Sequence, residues 1–153
     1  MLYTIHIHNQ QRRIDLNSIL IKKFVQAVLQ YLKVYEADLS VVFVTDKKIQ
    51  SINRKFLNHD FPTDVISFDL SEKQLSRVKR VKIHLIEGEI YISTASAVRN
   101  AKEYGSSNIE EILLYIIHGI LHLLGHNDHS SQERKRMRRK EQEVMDFLRR
   151  NRP

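Results

Sequence analysis

Two histidines one helical turn apart, His118 and His122, are the residues of this chain best placed to do chemistry. At positions i and i+4 of a helix both imidazoles leave the same face and can converge on one ion. Gly125 then breaks the helical pattern, and His126, Asn127, Asp128 and His129 follow at once. Two imidazoles on a helix and a third donor returning from a glycine turn make a three-ligand site with open positions, the arrangement of catalytic rather than structural zinc. Asp128, His129 and His126 each offer that third donor. The residue after His118, where a His-Glu-x-x-His metallopeptidase carries its general base, is Gly119. Proton handling must therefore come from elsewhere. Asp64, in a Pro-Thr-Asp-Val turn, and His59 with Asp60, in the loop before it, are the acid–base candidates.

The elements that must position these residues can be read from periodicity. Residues 109–124 are apolar almost all round, as in a helix buried within the protein. Polar groups interrupt that helix along one stripe, where Glu111, Tyr115, His118 and His122 fall within about 60° of one another at about 100° per residue. Burying imidazoles without partners is costly, so the stripe must face water, hydrogen-bond partners or a metal. Ser107 and Glu110 have the spacing of a capping box, Glu111 favours the same helix start, and Gly125 is the stop. Strands are predicted at 2–8, 39–45, 65–69 and 87–93, with helices at 15–33, 46–57, 94–104, 108–124 and 130–150, Asp46 capping the second helix. Ser71–His84 is polar and basic and reads as an exposed excursion or ragged hairpin. The order implies an α+β protein: a single-domain α/β sandwich over residues 1–153, with a mixed sheet of about four strands packed with about five helices.

The 153 residues suffice for one ordinary domain, and 42% apolar against 28% charged residues excludes a disordered chain. No apolar run approaches the roughly 20 residues that span a bilayer, and the first residues lack the pattern of a signal peptide. The absence of cysteine removes disulfides, thiolate ligands and a cysteine nucleophile. A cytoplasmic protein without a membrane partner is the expectation. The formal net charge of +7 favours a polyanionic partner. It concentrates near the C-terminus, where Arg134, Lys135, Arg136, Arg138, Arg139 and Lys140 can follow a nucleic-acid backbone. Alternatively they form a solvated helix face partly paired with Glu133, Glu141 and Glu143.

Three blocks then carry a resemblance: Phe61-Pro-Thr-Asp-Val-Ile-Ser-Phe68, Gly88-Glu-Ile-Tyr-Ile-Ser93 and His118-Gly-Ile-Leu-His-Leu-Leu-Gly125. In this order, and over nearly the whole chain, the sequence resembles the YbeY family of bacterial metal-dependent endoribonucleases. The resemblance implies one zinc-type ion per chain, single-strand-selective cleavage of RNA, a role in small-subunit ribosomal RNA maturation and quality control, and association with the small ribosomal subunit. The family pattern has a third histidine six residues after the second. Ungapped counting puts Asp128 there, and a one-residue insertion would put His129 there. The family also carries an arginine shortly before its Pro-Thr-Asp block, and that position here is Leu57. Arg54, Lys55 and Arg99 are the nearest substitutes by sequence. Lacking that arginine, the chain could instead be a ribosome-binding assembly factor whose metal is chiefly structural. A metallohydrolase of a non-RNA substrate is a third, weaker alternative.

Overall fold

The computed structural model describes residues 1–71 and 84–153. In chain order the elements are β1 (Leu2–Asn9), α1 (Ser18–Tyr31), β2 (Val34–Val44), α2 (Asp46–Leu57), β3 (Val65–Asp69), β4 (His84–Ser93), α3 (Thr94–Tyr104), α4 (Asn108–Leu123) and α5 (Ser131–Arg150). The strands form one mixed sheet in the order β1-β2-β4-β3; β1, β2 and β4 run parallel, and β3 pairs antiparallel with β4. The expected α+β architecture, with four strands and five helices among the described residues, is the one observed.

Side-chain alternation divides the sheet into two faces. Ala37, Leu39, Val41 and Phe43 of β2 join Ile86, Ile90 and Ile92 of β4 on the larger core, covered by α1, α4 and α5. Val42 and Val44 point the other way, onto Ile49 and Ile52 of α2 and Ile66 of β3. Each fully buried Ile or Leu contributes about 1.5–3 kcal/mol. That makes Ile112, Ile116, Ile117, Ile120 and Leu121, all 0% exposed, the main anchors of α4. No helix among the described residues is long and apolar enough to cross a membrane.

Several boundaries differ from expectation for local reasons. Thr45, not Asp46, caps α2: its hydroxyl accepts the Lys48 N–H at 3.2 Å. Asp46 is thereby free to reach Ser93 and Arg99, both at 2.6 Å. Asn17 caps α1, which ends before Lys33, a residue with φ 57°. β2 begins at Val34 rather than Leu39. Its polar first half, Tyr35, Glu36 and Asp38, is held by pairing with β1 and β4 and lacks a strong apolar signature of its own. β4 likewise begins at His84. Most of the expected excursion between Ser71 and His84, residues 72–83, lies outside the described residues.

One glycine sets the distance between α4 and the sheet. A Cβ added at Gly119 would stand 2.8 Å from both Cγ2 and Cδ1 of Ile90 and 3.0 Å from Ser67 Oγ. The Ser67 hydroxyl also donates to the Gly119 carbonyl at 3.3 Å. A glutamate at this position would have no room, which explains physically why the metallopeptidase base is missing. Gly119→Ala should lower the thermal midpoint by several degrees. Overpacking costs about 1–3 kcal/mol, more than the roughly 1 kcal/mol alanine gains over glycine in a helix. An unchanged or raised midpoint in a melting experiment would contradict the tight approach.

Candidate metal centre

α4 starts as its sequence requires. Ser107 and Glu110 form a full capping box, and Ser106 donates its hydroxyl to Glu111 at 2.8 Å, so Glu111 belongs to the helix start. At the other end the Gly125 N–H reaches the His122 carbonyl at 2.9 Å and the His126 N–H reaches Leu121 at 3.0 Å. This pair of bonds is a Schellman closure, and it places Gly125 at φ 93°, where a side chain would be strained. The chain then doubles back. Ser130 and Glu133 form a second capping box, with Glu133 also accepting the His129 N–H at 3.0 Å, so the six-residue return is tied at its far end to α5.

The turn brings Asp128 to the two histidines. His118 Nε2 and His122 Nε2 are 2.9 Å apart, and Asp128 Oδ2 lies 3.6 Å from the first and 3.4 Å from the second. Tetrahedral zinc with bonds of ~2.0–2.1 Å needs donors about 3.3 Å apart. The three edges match that spacing, so these side chains can hold a small divalent ion. All three are partly exposed, on the open side of a helix whose other faces are buried.

A fourth side chain orients the first ligand. His118 Nδ1 lies 2.6 Å from Glu141 Oε1 on α5. A carboxylate can only accept, so Nδ1–H is the donor, and Nε2 is the ring nitrogen turned to the ion position. Glu141 is the functional residue that sequence reading did not single out. A signal was present: Met137, Val144 and Leu148 form the buried stripe of α5, and Glu141 falls within it at i+4 from Met137.

Two cavities share the triad's floor. One, of about 280 Å³, is lined by Asp64, Tyr115, His118, Asp128, Arg134, Arg138 and Glu141 among others. The second, of about 550 Å³, holds Leu57, His59, Phe61, Asp64, Ser67, His118, His122, Asp128 and His129. Asp64 therefore faces both, while its carbonyl accepts the Ser93 N–H at 2.9 Å. Burial pushes the Tyr115 phenol well above its usual range, the Asp64 charge adding to the effect. The phenol thus stays protonated; it accepts from Asn100 Nδ2 at 2.6 Å.

The other residues singled out from sequence fall as follows. His59 is exposed on the rim of the larger cavity, edge-on to Phe61 at 5.3 Å. His129 lines that cavity outside the ligand triangle, and His126 is exposed beyond the turn. Arg54 is exposed, 3.9 Å from Asp60, and does not line either cavity. Lys55 lies over the Phe56 ring at 5.3 Å. Arg99 is committed to Asp46, whose carboxyl it holds below the usual range by hydrogen bonding. Of the basic run, Arg134 and Arg138 face the smaller cavity. Lys140 pairs with Glu143 at 2.9 Å, and Lys135, Arg136 and Arg139 are exposed.

The family described as Endoribonuclease YbeY matches residues 6–149. The chain belongs to the YbeY endoribonuclease family. It is 37% identical over 150 residues to an endoribonuclease YbeY of Syntrophus aciditrophicus, covering 97% of this chain and 91% of that relative. The corresponding protein of Pelotomaculum thermopropionicum is 38% identical over 146 residues, with 93% and 95% covered. A solution structure of a Thermotoga maritima protein superposes with a TM-score of 0.59 at 27% identity, covering 97% of this chain and 94% of that one. Within the family pattern, this chain brings Asp128 to the histidines and sets Leu57 on the wall of the larger cavity.

Partners that orient a ligating histidine typically contribute 10–100-fold in metal affinity. Glu141→Ala should weaken metal binding by about that factor in a chelator competition, with Glu141→Gln intermediate because its amide oxygen can still accept from Nδ1–H. Wild-type affinity in Glu141→Ala would show that the His118–Glu141 bond plays no part in metal binding.

Proposed function

We propose that this protein is a zinc-dependent endoribonuclease of the bacterial cytoplasm that cleaves single-stranded RNA during maturation of the small-subunit ribosomal RNA, in association with the small ribosomal subunit. The observation that carries the reading is the triangle of His118 Nε2, His122 Nε2 and Asp128 Oδ2, with edges of 2.9, 3.4 and 3.6 Å, open to two cavities in a chain of formal net charge +7.

His118, His122 and Asp128 would hold the zinc, with His129 beside them on the rim as the alternative donor. When bound, zinc supplies Lewis-acid chemistry, polarising a phosphoryl oxygen and making water more acidic. The chain's own side chains then manage protons and orientation. In hydrolysis the water oxygen bonds to phosphorus, the bond to the leaving oxygen breaks, and one proton moves from the water to that oxygen. The Asp64 carboxylate, facing both cavities, is the acceptor we assign for the water proton. The His59 imidazole, on the larger cavity's rim, is the donor to the leaving oxygen. The protonated Tyr115 hydroxyl can hydrogen-bond a phosphate oxygen in the smaller cavity. Arg134, Lys135, Arg136, Arg138, Arg139 and Lys140 supply positive charge along the RNA backbone. Arg54, paired with Asp60 outside the cavities, is at most a peripheral backbone contact.

A second reading is favoured by Leu57 in the larger cavity, which no guanidinium lines among the described residues: a ribosome-binding assembly factor whose ion is structural. One experiment separates the two. Purified wild type, His118→Ala and His122→Ala should be compared for metal content and cleavage of single-stranded RNA. Wild type should carry about one zinc per chain and cleave, and each variant should lose at least about a hundredfold in rate, the scale of a lost metal function. Equal cleavage by all three would exclude metal-dependent catalysis. Absence of cleavage by all three, with ribosome binding retained, would favour the assembly factor.

A further inference from the structure

We propose that Arg134 and Arg138 form a two-guanidinium clamp that holds a phosphodiester of single-stranded RNA in the smaller cavity, against the His118–Asp128 side of the ion site. This rests on the endoribonuclease reading and assigns two of the six basic residues a task that the others do not share.

Helix geometry makes the first case. At about 100° per residue, Arg134, Arg138 and Glu141 fall within roughly 60° of one another on α5. Glu141 is fixed on the cavity side by its bond to His118, so the two arginines are carried to the same side. Both line the cavity with His118, Asp128 and Asp64. All five arginines and lysines from Arg134 to Arg139 are exposed, but Lys135, Arg136 and Arg139 do not line the cavity, and Lys140 is occupied by Glu143 at 2.9 Å. The basic run is thus a solvated face, and Arg134 and Arg138 are its exposed members that line the cavity mouth.

Charge makes the second case. Three carboxylates, Asp64, Asp128 and Glu141, line this cavity. A phosphodiester entering beside them alone would be repelled, and among the described residues the two guanidiniums are the Lys/Arg side chains that line it. Among the described residues neither has an acidic partner: Arg134 donates one N–H to the His129 carbonyl at 2.8 Å, and Arg138 makes no ion pair. Arg134 is thereby tethered to the loop that carries Asp128 while keeping most of its donors. Planar guanidiniums bind phosphate oxygens in pairs, which suits a positioning task better than an ammonium.

The test uses the full chain, with Arg134→Ala, Arg138→Ala, the double variant, Arg138→Lys, and Lys22→Ala/Lys23→Ala as a charge-matched control on α1. Binding of a single-stranded DNA oligonucleotide across a salt series reads the phosphate contacts without cleavage. Each arginine removed should flatten the log–log salt slope by about 0.7. Cleavage of single-stranded RNA should fall at least about tenfold in kcat/KM per arginine, as for loss of a charged hydrogen bond. Arg138→Lys should recover only part, and metal content should stay at the wild-type value. If the double variant and the Lys22/Lys23 control lose the same affinity and the same kcat/KM, the clamp is overturned in favour of diffuse charge. If wild type shows the arginine-dependent slope but cleaves no RNA, the clamp stands and the nuclease reading fails. If wild type cleaves and the double variant matches it, the nuclease reading stands and the clamp fails.

Discussion

The 2.6 Å bond from His118 Nδ1 to Glu141 Oε1 joins the fold to the chemistry. It crosses from α4 to α5, the one anchored by fully buried Ile and Leu side chains, the other docked through Met137, Val144, Met145 and Leu148. With Nδ1 engaged by the carboxylate, Nε2 is the ring nitrogen turned to the ion position, as in the carboxylate–histidine pairs of metal sites. The same docking rotates α5 so that Arg134 and Arg138 share the cavity with His118. Packing, tautomer and local charge are therefore set by one arrangement of two helices.

Two close approaches complete the frame. At Gly119 the backbone of α4 comes near enough to Ile90 and Ser67 that no side chain fits, so the histidine stripe lies beside β3 and Asp64 rather than above open solvent. Beside Asp64, whose carbonyl accepts the Ser93 N–H at 2.9 Å, Asp46 draws in Ser93 and Arg99. Because Arg99 holds the Asp46 carboxyl below its usual range, the pair contributes stability that is complete above the unfolded carboxylate pKa and is lost as pH falls through the lower folded value. Both side chains are substantially exposed, so that contribution is at most about 1 kcal/mol after solvent screening. Its main consequence is spatial: the Arg99 guanidinium is tied to Asp46, within electrostatic reach of Asp64 and Tyr115.

How much of this was legible beforehand depended on whether the information was local. The bounds of β3 and α3, the capping box of Ser107 and Glu110, and the i, i+4 histidines all follow from short-range periodicity and capping chemistry. The turn at Gly125 was legible too, but its direction was not. Whether Asp128 or His129 comes back to the helix depends on how α5's own capping box ties down the loop. Glu141 was read as a charge partner of the basic run. Its true neighbour is 23 residues earlier, and only its intrusion into an apolar stripe hinted at that. The polar start of β2 was missed because its pairing partners on both sides, rather than its own composition, hold it extended. Arg54 was near the site in sequence but is exposed and faces Asp60 on the surface; three residues from Leu57 it lies on a neighbouring part of the same helix face, so spacing alone could not separate the two.

The most direct measurement is anomalous diffraction at the zinc edge from crystals of the zinc-loaded protein. The account requires one strong peak within bonding distance, about 2.0–2.2 Å, of His118 Nε2, His122 Nε2 and an Asp128 oxygen, with Glu141 still on His118 Nδ1. A peak coordinated by His129 in place of Asp128, or zinc bound elsewhere with the two imidazoles left unligated, would contradict it.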